Sequence, residues 1–201
     1  MLAQPCSAWY PACPAAQGVI SDQRIAEIAA AVSPPTETFL LTARTDAQTI
    51  AAQHRAAGTT ALQLVDHVPP DHLQRLRSLC PGVKLVQVIH VLGHESIGQA
   101  QAAAPYVDAL LLDSGNPHLA VKELGGTGRK HDWATSRRIR DAVWPLPLFL
   151  AGGLNETNVA EAINTVRPRG LDLCSSVRSG GALDATKLRR LFSAATSASP
   201  V

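Results

Sequence analysis

The chain of 201 residues has only four cysteines, Cys6, Cys13, Cys80 and Cys174, too few and too scattered for a disulfide scaffold. No C-x-x-C pair and no H-E-x-x-H helix is present, so the usual sequence signatures of a zinc site are missing and no metal is expected. An excess of either charge is missing too, because 18 Lys and Arg stand against 16 Asp and Glu, a formal net charge of +2. Without a basic field, neither nucleic acid nor an anionic membrane is expected as a partner. No apolar run approaches the roughly 18 residues of a membrane span, and the opening MLAQPCSAWY lacks the basic start and long apolar stretch of a secretory leader. A soluble, cytoplasmic protein is expected.

What the chain does have is apolar material and a repeat. With 46% hydrophobic and 17% charged residues, and a length that buries on the order of 70% of the unfolded surface, one domain over 1–201 is expected. Residues 1–18 are expected to be irregular, and the small, polar tail Ser193–Val201 to fray. Short apolar runs bounded by Gly, Pro, Asp or Ser predict strands at Thr38–Ala43, Ala61–Val65, Lys84–Val91, Ala109–Asp113, Pro147–Ala151 and Gly170–Cys174. Cys6-Ser-Ala-Trp-Tyr is a weak further strand candidate. Spacings of three and four predict helices at Ser21–Val32, Ala47–Ala57, Pro70–Leu79, Ser96–Ala104, Trp133–Val143, Glu156–Val166 and Asp184–Ala194. Ser21 and Asn155 read as N-caps.

Leu110-Leu-Leu and Leu148-Phe-Leu are apolar on consecutive positions, which calls for burial on both faces, as in a parallel sheet covered by helices. An α/β fold of the (βα)8 TIM-barrel type is favoured over an open doubly wound sheet. The latter usually carries a Gly-rich phosphate turn after its first strand, whereas glycine motifs here gather at the last three strands. About six of eight βα units are clear, so the barrel is expected to be incomplete at its N-terminus, with exposed strand edges that favour a homodimer.

In such folds chemistry lies at the C-terminal ends of strands. The polar residues there are Asp66 and His67, His90, Asp113, Asp132, Gly152 and Gly153, and Asp172 with Ser175 and Ser176. Gly125-Gly-Thr-Gly-Arg-Lys-His-Asp132-Trp ends a long loop, and Asp132 reads either as the N-cap of the following helix or as an acid at a lid's root. Ala151-Gly-Gly-Leu, with Gly152 and Gly153, takes a strand into a helix and lets backbone N–H groups approach an anion. Leu171-Asp-Leu-Cys-Ser-Ser, running on to Gly180-Gly181, is a second turn of this kind on the next strand. His90 reads as a structural or a catalytic histidine, and Arg137, Arg138 and Arg140 as a solvated helix face.

These motifs resemble the phosphoribosylanthranilate isomerase family of tryptophan biosynthesis. The resemblance runs from about Val19 to Phe192 through Ala61-Leu-Gln-Leu, Leu110-Leu-Leu-Asp-Ser, Gly125-Gly-Thr-Gly with Asp132-Trp133, Ala151-Gly-Gly-Leu with Asn158, and Asp172 with Ser175. It implies an aldose–ketose isomerase that performs an Amadori rearrangement without cofactor or metal on a small phosphorylated sugar–anthranilate. Asp132 would protonate the furanose ring oxygen. Gly152, Gly153, Ser175 and Ser176 would hold the phosphate, Asp172 would lie near the ribose hydroxyls, and Gln63 and Gly128 would complete the substrate contacts. The family's opening strand with its general-base cysteine, an arginine near Gln17-Gly18, a histidine where Val65 stands and a glycine where Ser176 stands are departures. Two other readings stay open: a noncatalytic phosphate-binding relative, and another sugar-phosphate enzyme on the same fold.

Overall fold

The structure, a computed structural model, describes residues 20–116 and 131–198. The candidate strand at Cys6 therefore lies outside the described residues. Helices and strands alternate: α1 (Asp22–Ala31), β1 (Phe39–Thr42), α2 (Ala47–Ala57), β2 (Ala61–Leu64), α3 (Pro70–Leu79), β3 (Lys84–His90), α4 (Glu95–Ala103), β4 (Ala109–Asp113), α5 (Trp133–Ala142), β5 (Leu148–Leu150), α6 (Val159–Val166), β6 (Gly170–Leu171), a short pair β7 (Arg178–Ser179) and β8 (Ala182–Leu183), and α7 (Ala185–Thr196). The described chain falls into two compact units, one of residues 20–88 with Ala102–Leu110, the other of Ile89–Gln101 with residues 111–116 and 131–198.

In the first unit β1, β2 and β3 pair in parallel, with Leu40 opposite Leu62 and Leu62 opposite Leu85, and the Asp108 N–H extends the ladder to the Leu85 carbonyl at 2.9 Å. Every residue of β2 is buried, which explains why its apolar positions do not alternate. Leu40, Leu62, Leu64 and Leu85 are fully enclosed, each contributing about 2 kcal/mol by burial. Helix α2 packs between α1 and α3 and turns Ile50 and Ala51 inward. Its ends are fixed by the Asp46 carboxylate, which accepts from Thr49 N–H at 2.9 Å, and by Gly58 at φ +65°. Pro70 opens α3, where its missing N–H costs nothing.

One buried polar side chain ties this unit together. Gln87, 1% exposed, donates to the carbonyls of Leu64, Asp66 and Val88 and accepts from the Val68 N–H. Gln87→Met keeps the volume but strands those backbone groups, each costing about 1–3 kcal/mol when unpaired. A stability loss of about 2 kcal/mol in urea unfolding is expected, and no loss would show that the network carries nothing.

In the second unit the C-terminal parts of β3 and β4 are joined by Val91 N–H to Asp113 O (2.9 Å), β4 reaches β5 through Ala151 N–H to Leu112 O (2.8 Å), and β5 pairs with β6 in parallel. Helices α5, α6 and α7 pack in sequence, and Val159, Val177 and Leu191 form a core with Ile163, Leu171 and Leu188.

Several expectations change in this unit. Helix α6 starts at Val159 rather than Glu156, because Asn155 spends its side chain on the Thr157 N–H (2.9 Å) while Asn158 becomes the residue at the helix start. Strand β6 stops at Leu171, short of Cys174. Gly180 and Gly181, both at positive φ, form the two-residue tip of the antiparallel β7–β8 hairpin, and that turn accounts for the glycine pair. Arg137 and Arg140 are not a solvated face: they donate to the last carbonyls of α6, at Thr165 and Val166, groups a helix end leaves without partners. Helix α7 extends to Thr196, into the stretch expected to fray.

Candidate functional site

Most of the candidate residues belong to the second unit, at or just beyond the C-terminal ends of its strands. Asp132 is the N-cap of α5: one carboxylate oxygen accepts from Ala134 N–H at 3.0 Å, and the other accepts from Thr135 N–H at 3.1 Å and from the Thr135 hydroxyl at 2.5 Å. The Thr135 hydroxyl above all, with the two backbone donors, holds the carboxyl below the usual carboxylate range even though Asp132 is exposed. Of the two roles the sequence leaves open for this side chain, the cap is the one its contacts fill.

After β5, Gly152 (φ +82°) and Gly153 (φ +64°) take the chain through two left-handed steps that a side chain would resist. The carbonyl of Gly153 accepts from the side-chain amides of Asn158 (3.0 Å) and Asn155 (3.3 Å), and the Asn158 amide oxygen accepts from Asn155 N–H at 2.9 Å. The turn is therefore held by buried Asn158, a residue that strand and helix patterns alone do not single out. A Cβ on Gly152 would lie 3.0 Å from His131 Nδ1 and 3.0 Å from Ser114 Oγ, so three segments meet at this glycine.

Asp113 closes β4 and Asp172 follows β6. Burial, partly offset by the Ser114 N–H at 2.7 Å and by His90, pushes the Asp113 carboxyl up. Asp172 is part-exposed as a residue, but its carboxyl group is crowded by protein, and that burial, with the nearby Asp113 charge, raises it to about 6. His90 is buried and lies in the field of Asp113, a neighbour 23 positions away that the sequence does not reveal. Ser175 and Ser176 open a short 3-10 turn after β6, Ser175 exposed and Ser176 partly so.

The Asp172 value has a stability consequence. Its folded pKa of about 6 exceeds the unfolded carboxylate value of roughly 3.9, so the unfolded chain loses its proton first and stability falls as pH rises from about 4 to 6. Asp172→Asn, which mimics the protonated acid, is expected to raise the melting temperature at pH 8 and leave it unchanged at pH 4. A variant that melts lower at pH 8 would contradict the argument.

In the first unit, Gln63 is buried on β2, opposite Leu41 on one side and Val86 on the other. Val65, where the family's histidine would stand, is buried just beyond it. Asp66 is buried and accepts from the His67 N–H at 2.8 Å. Gly128 lies outside the described residues. Among the described residues no group of three or more His, Cys, Asp or Glu side chains is arranged to hold a metal ion, and no helix is long and apolar enough to cross a membrane.

A family model described as N-(5'phosphoribosyl)anthranilate (PRA) isomerase matches residues 16–194. An N-(5'-phosphoribosyl)anthranilate isomerase of Methanocella arvoryzae is 44% identical over 118 residues, 59% of this chain, and that stretch spans 53% of the relative's length. A crystal structure of phosphoribosyl anthranilate isomerase from Thermus thermophilus superposes with a TM-score of 0.74 at 23% identity, covering 96% of this chain and 86% of that one. A phosphoribosyl anthranilate isomerase in complex with reduced 1-(o-carboxyphenylamino)-1-deoxyribulose 5-phosphate superposes with a TM-score of 0.69 at 21% identity, covering 88% of this chain and 80% of that one. The α/β class expected from the sequence is the fold these structures share.

Proposed function

Because the chain belongs to the N-(5'-phosphoribosyl)anthranilate isomerase family, we propose that it converts N-(5-phosphoribosyl)anthranilate into the 1-(2-carboxyphenylamino)-1-deoxyribulose 5-phosphate ketose. The observation that carries this reading is the run of motifs inside the match over residues 16–194, with an aspartate at a helix start and a double-glycine turn on the next strand. Asp132 gives a proton to the furanose ring oxygen, the C–O bond breaks, and a Schiff base forms with the ring opened. Removal of the C2′ proton then gives an enolamine, and return of a proton to C1′ with loss of the enol O–H proton completes the ketone. Gly152 and Gly153, with Ser175 and Ser176, hold the phosphate. Asp172, poised between its two forms near pH 6, accepts from a ribose hydroxyl as carboxylate and donates as acid. No cofactor enters this sequence of proton transfers.

The test is steady-state turnover of phosphoribosylanthranilate by the full chain, with the ketose identified by mass and NMR. Absence of product from folded, phosphate-binding protein would sink the proposal.

One observation favours a second reading. Both oxygens of Asp132 are engaged by its own helix, and the group is held in its ionised form, which suits a phosphate-binding relative without isomerase activity. Under that reading phosphate binds but the substrate is not turned over.

A further inference from the structure

His131 has no role in the mechanism above. It precedes Asp132 and is partly buried, and both ring nitrogens are shut off from solvent with no hydrogen-bond partner among the described residues. Burial, opposed only by the Asp132 charge, keeps the imidazole neutral with its pKa near 4. Leaving a buried donor or acceptor unsatisfied is unfavourable, and an apolar ring would occupy the same place without that penalty. Such a group is explained when a ligand completes it. The direction is given by Nδ1, which lies 3.0 Å from the position a Cβ would take on Gly152, the first glycine of the anion turn, with Ser114 Oγ at the same distance. The imidazole is thus placed between the acid, its neighbour in the chain, and the phosphate turn.

We propose that His131 is a phosphate ligand: its Nδ1–H tautomer donates to an oxygen of the phosphate monoester held at Gly152–Gly153. The inference rests on the reading of that turn as the phosphate site. A neutral imidazole carries one donor and one acceptor, so an anion at the turn selects the tautomer with the proton on Nδ1, and the hydrogen bond to a charged acceptor is of the stronger kind. His131 thereby sets the grip on the phosphate and leaves the proton transfers to Asp132.

The experiment titrates the full chain, labelled with ¹⁵N at histidine, with inorganic phosphate and separately with ribose 5-phosphate. The His131 ring signals are assigned by their loss in His131→Phe. Both ligands are expected to shift those signals toward a single tautomer. His131→Phe is expected to bind both about ten- to a hundredfold more weakly, to raise KM for phosphoribosylanthranilate by a similar factor with kcat little changed, and to melt no lower than the parent. His131→Asn, whose amide nitrogen mimics Nδ1, recovers part of the affinity. A shift with ribose 5-phosphate alone would still support the site and show that the sugar is needed to place the phosphate. Unchanged ring signals at saturating ligand, or unchanged affinity in His131→Phe, would overturn the proposal while leaving the phosphate turn standing. Failure of the parent chain to bind either ligand would overturn both. Phosphate binding through His131 without turnover would support this inference and remove only the isomerase reading.

Discussion

Asp132→Asn is expected to lower kcat/KM for phosphoribosylanthranilate by about 10²- to 10⁴-fold, the usual size of a general acid's contribution, with the melting temperature nearly unchanged. The separation of the two effects comes from the cap. Asparagine is as favourable as aspartate at a helix start, and its amide oxygen can take over one of the acceptor positions that Ala134 and Thr135 N–H now use. It cannot deliver a proton. Asp132→Ala removes both roles and should add a stability loss of about 1 kcal/mol, so the pair distinguishes chemistry from folding. The depressed pKa of Asp132 also gives a sign: the protonated fraction grows as pH falls, so the activity that depends on it declines on the alkaline side, and that limb disappears in the asparagine variant. Thr135 is the largest cause of the depression, so under the proposed mechanism its hydroxyl is the contact that loosens when Asp132 takes a proton. Full activity in Asp132→Asn would leave Asp132 as a cap and nothing more.

The elements were legible where their signals are local. Helices α2 and α3 have the bounds that the sequence predicts because Asp46, Gly58 and Pro70 act within a turn of where they stand. The start of α6 falls later than the sequence predicts for the opposite reason: Asn155 reads as a cap, and only the fold decides that Asn158 turns back to the Gly153 carbonyl at the helix start while Asn155 closes the turn before it. The arginines of α5 look solvated until α6 ends beside them. In the site, the glycine pair and Asp132 announce themselves by composition and by position after a strand. The electrostatic coupling of Asp113 with Asp172, and of His90 with Asp113, joins residues far apart in the chain, and a one-dimensional pattern carries no distance between them. The enclosure of His131 is not legible in the sequence, because a histidine inside a Gly-rich loop motif has the same local signature whether it is exposed or enclosed.

Gly152→Ala is expected to destabilise the turn after β5. Two costs combine. At φ +82° a Cβ is strained wherever it sits, by about 1–2 kcal/mol, and here it would also meet His131 Nδ1 and Ser114 Oγ at 3.0 Å and Ser114 Cβ at 3.1 Å. Ser114 is buried beside β4, so relief has to come from backbone shifts or from the imidazole, and overpacking of this kind typically costs about 1–3 kcal/mol. The expected loss is about 2–5 kcal/mol, and, under the proposal that the Gly152–Gly153 turn holds phosphate, at least a tenfold weaker grip on inorganic phosphate because the turn that presents its N–H groups has moved. Gly58→Ala is the matched control. Gly58 also lies at positive φ, at the end of α2, but nothing stands within 4 Å of its added Cβ, so it registers the strain alone. The difference between the two variants in urea unfolding therefore measures the crowding at the site. If both lose the same stability and Gly152→Ala binds phosphate as tightly as the parent, the close approach of His131 and Ser114 has no energetic content, and the anion turn loses its structural basis.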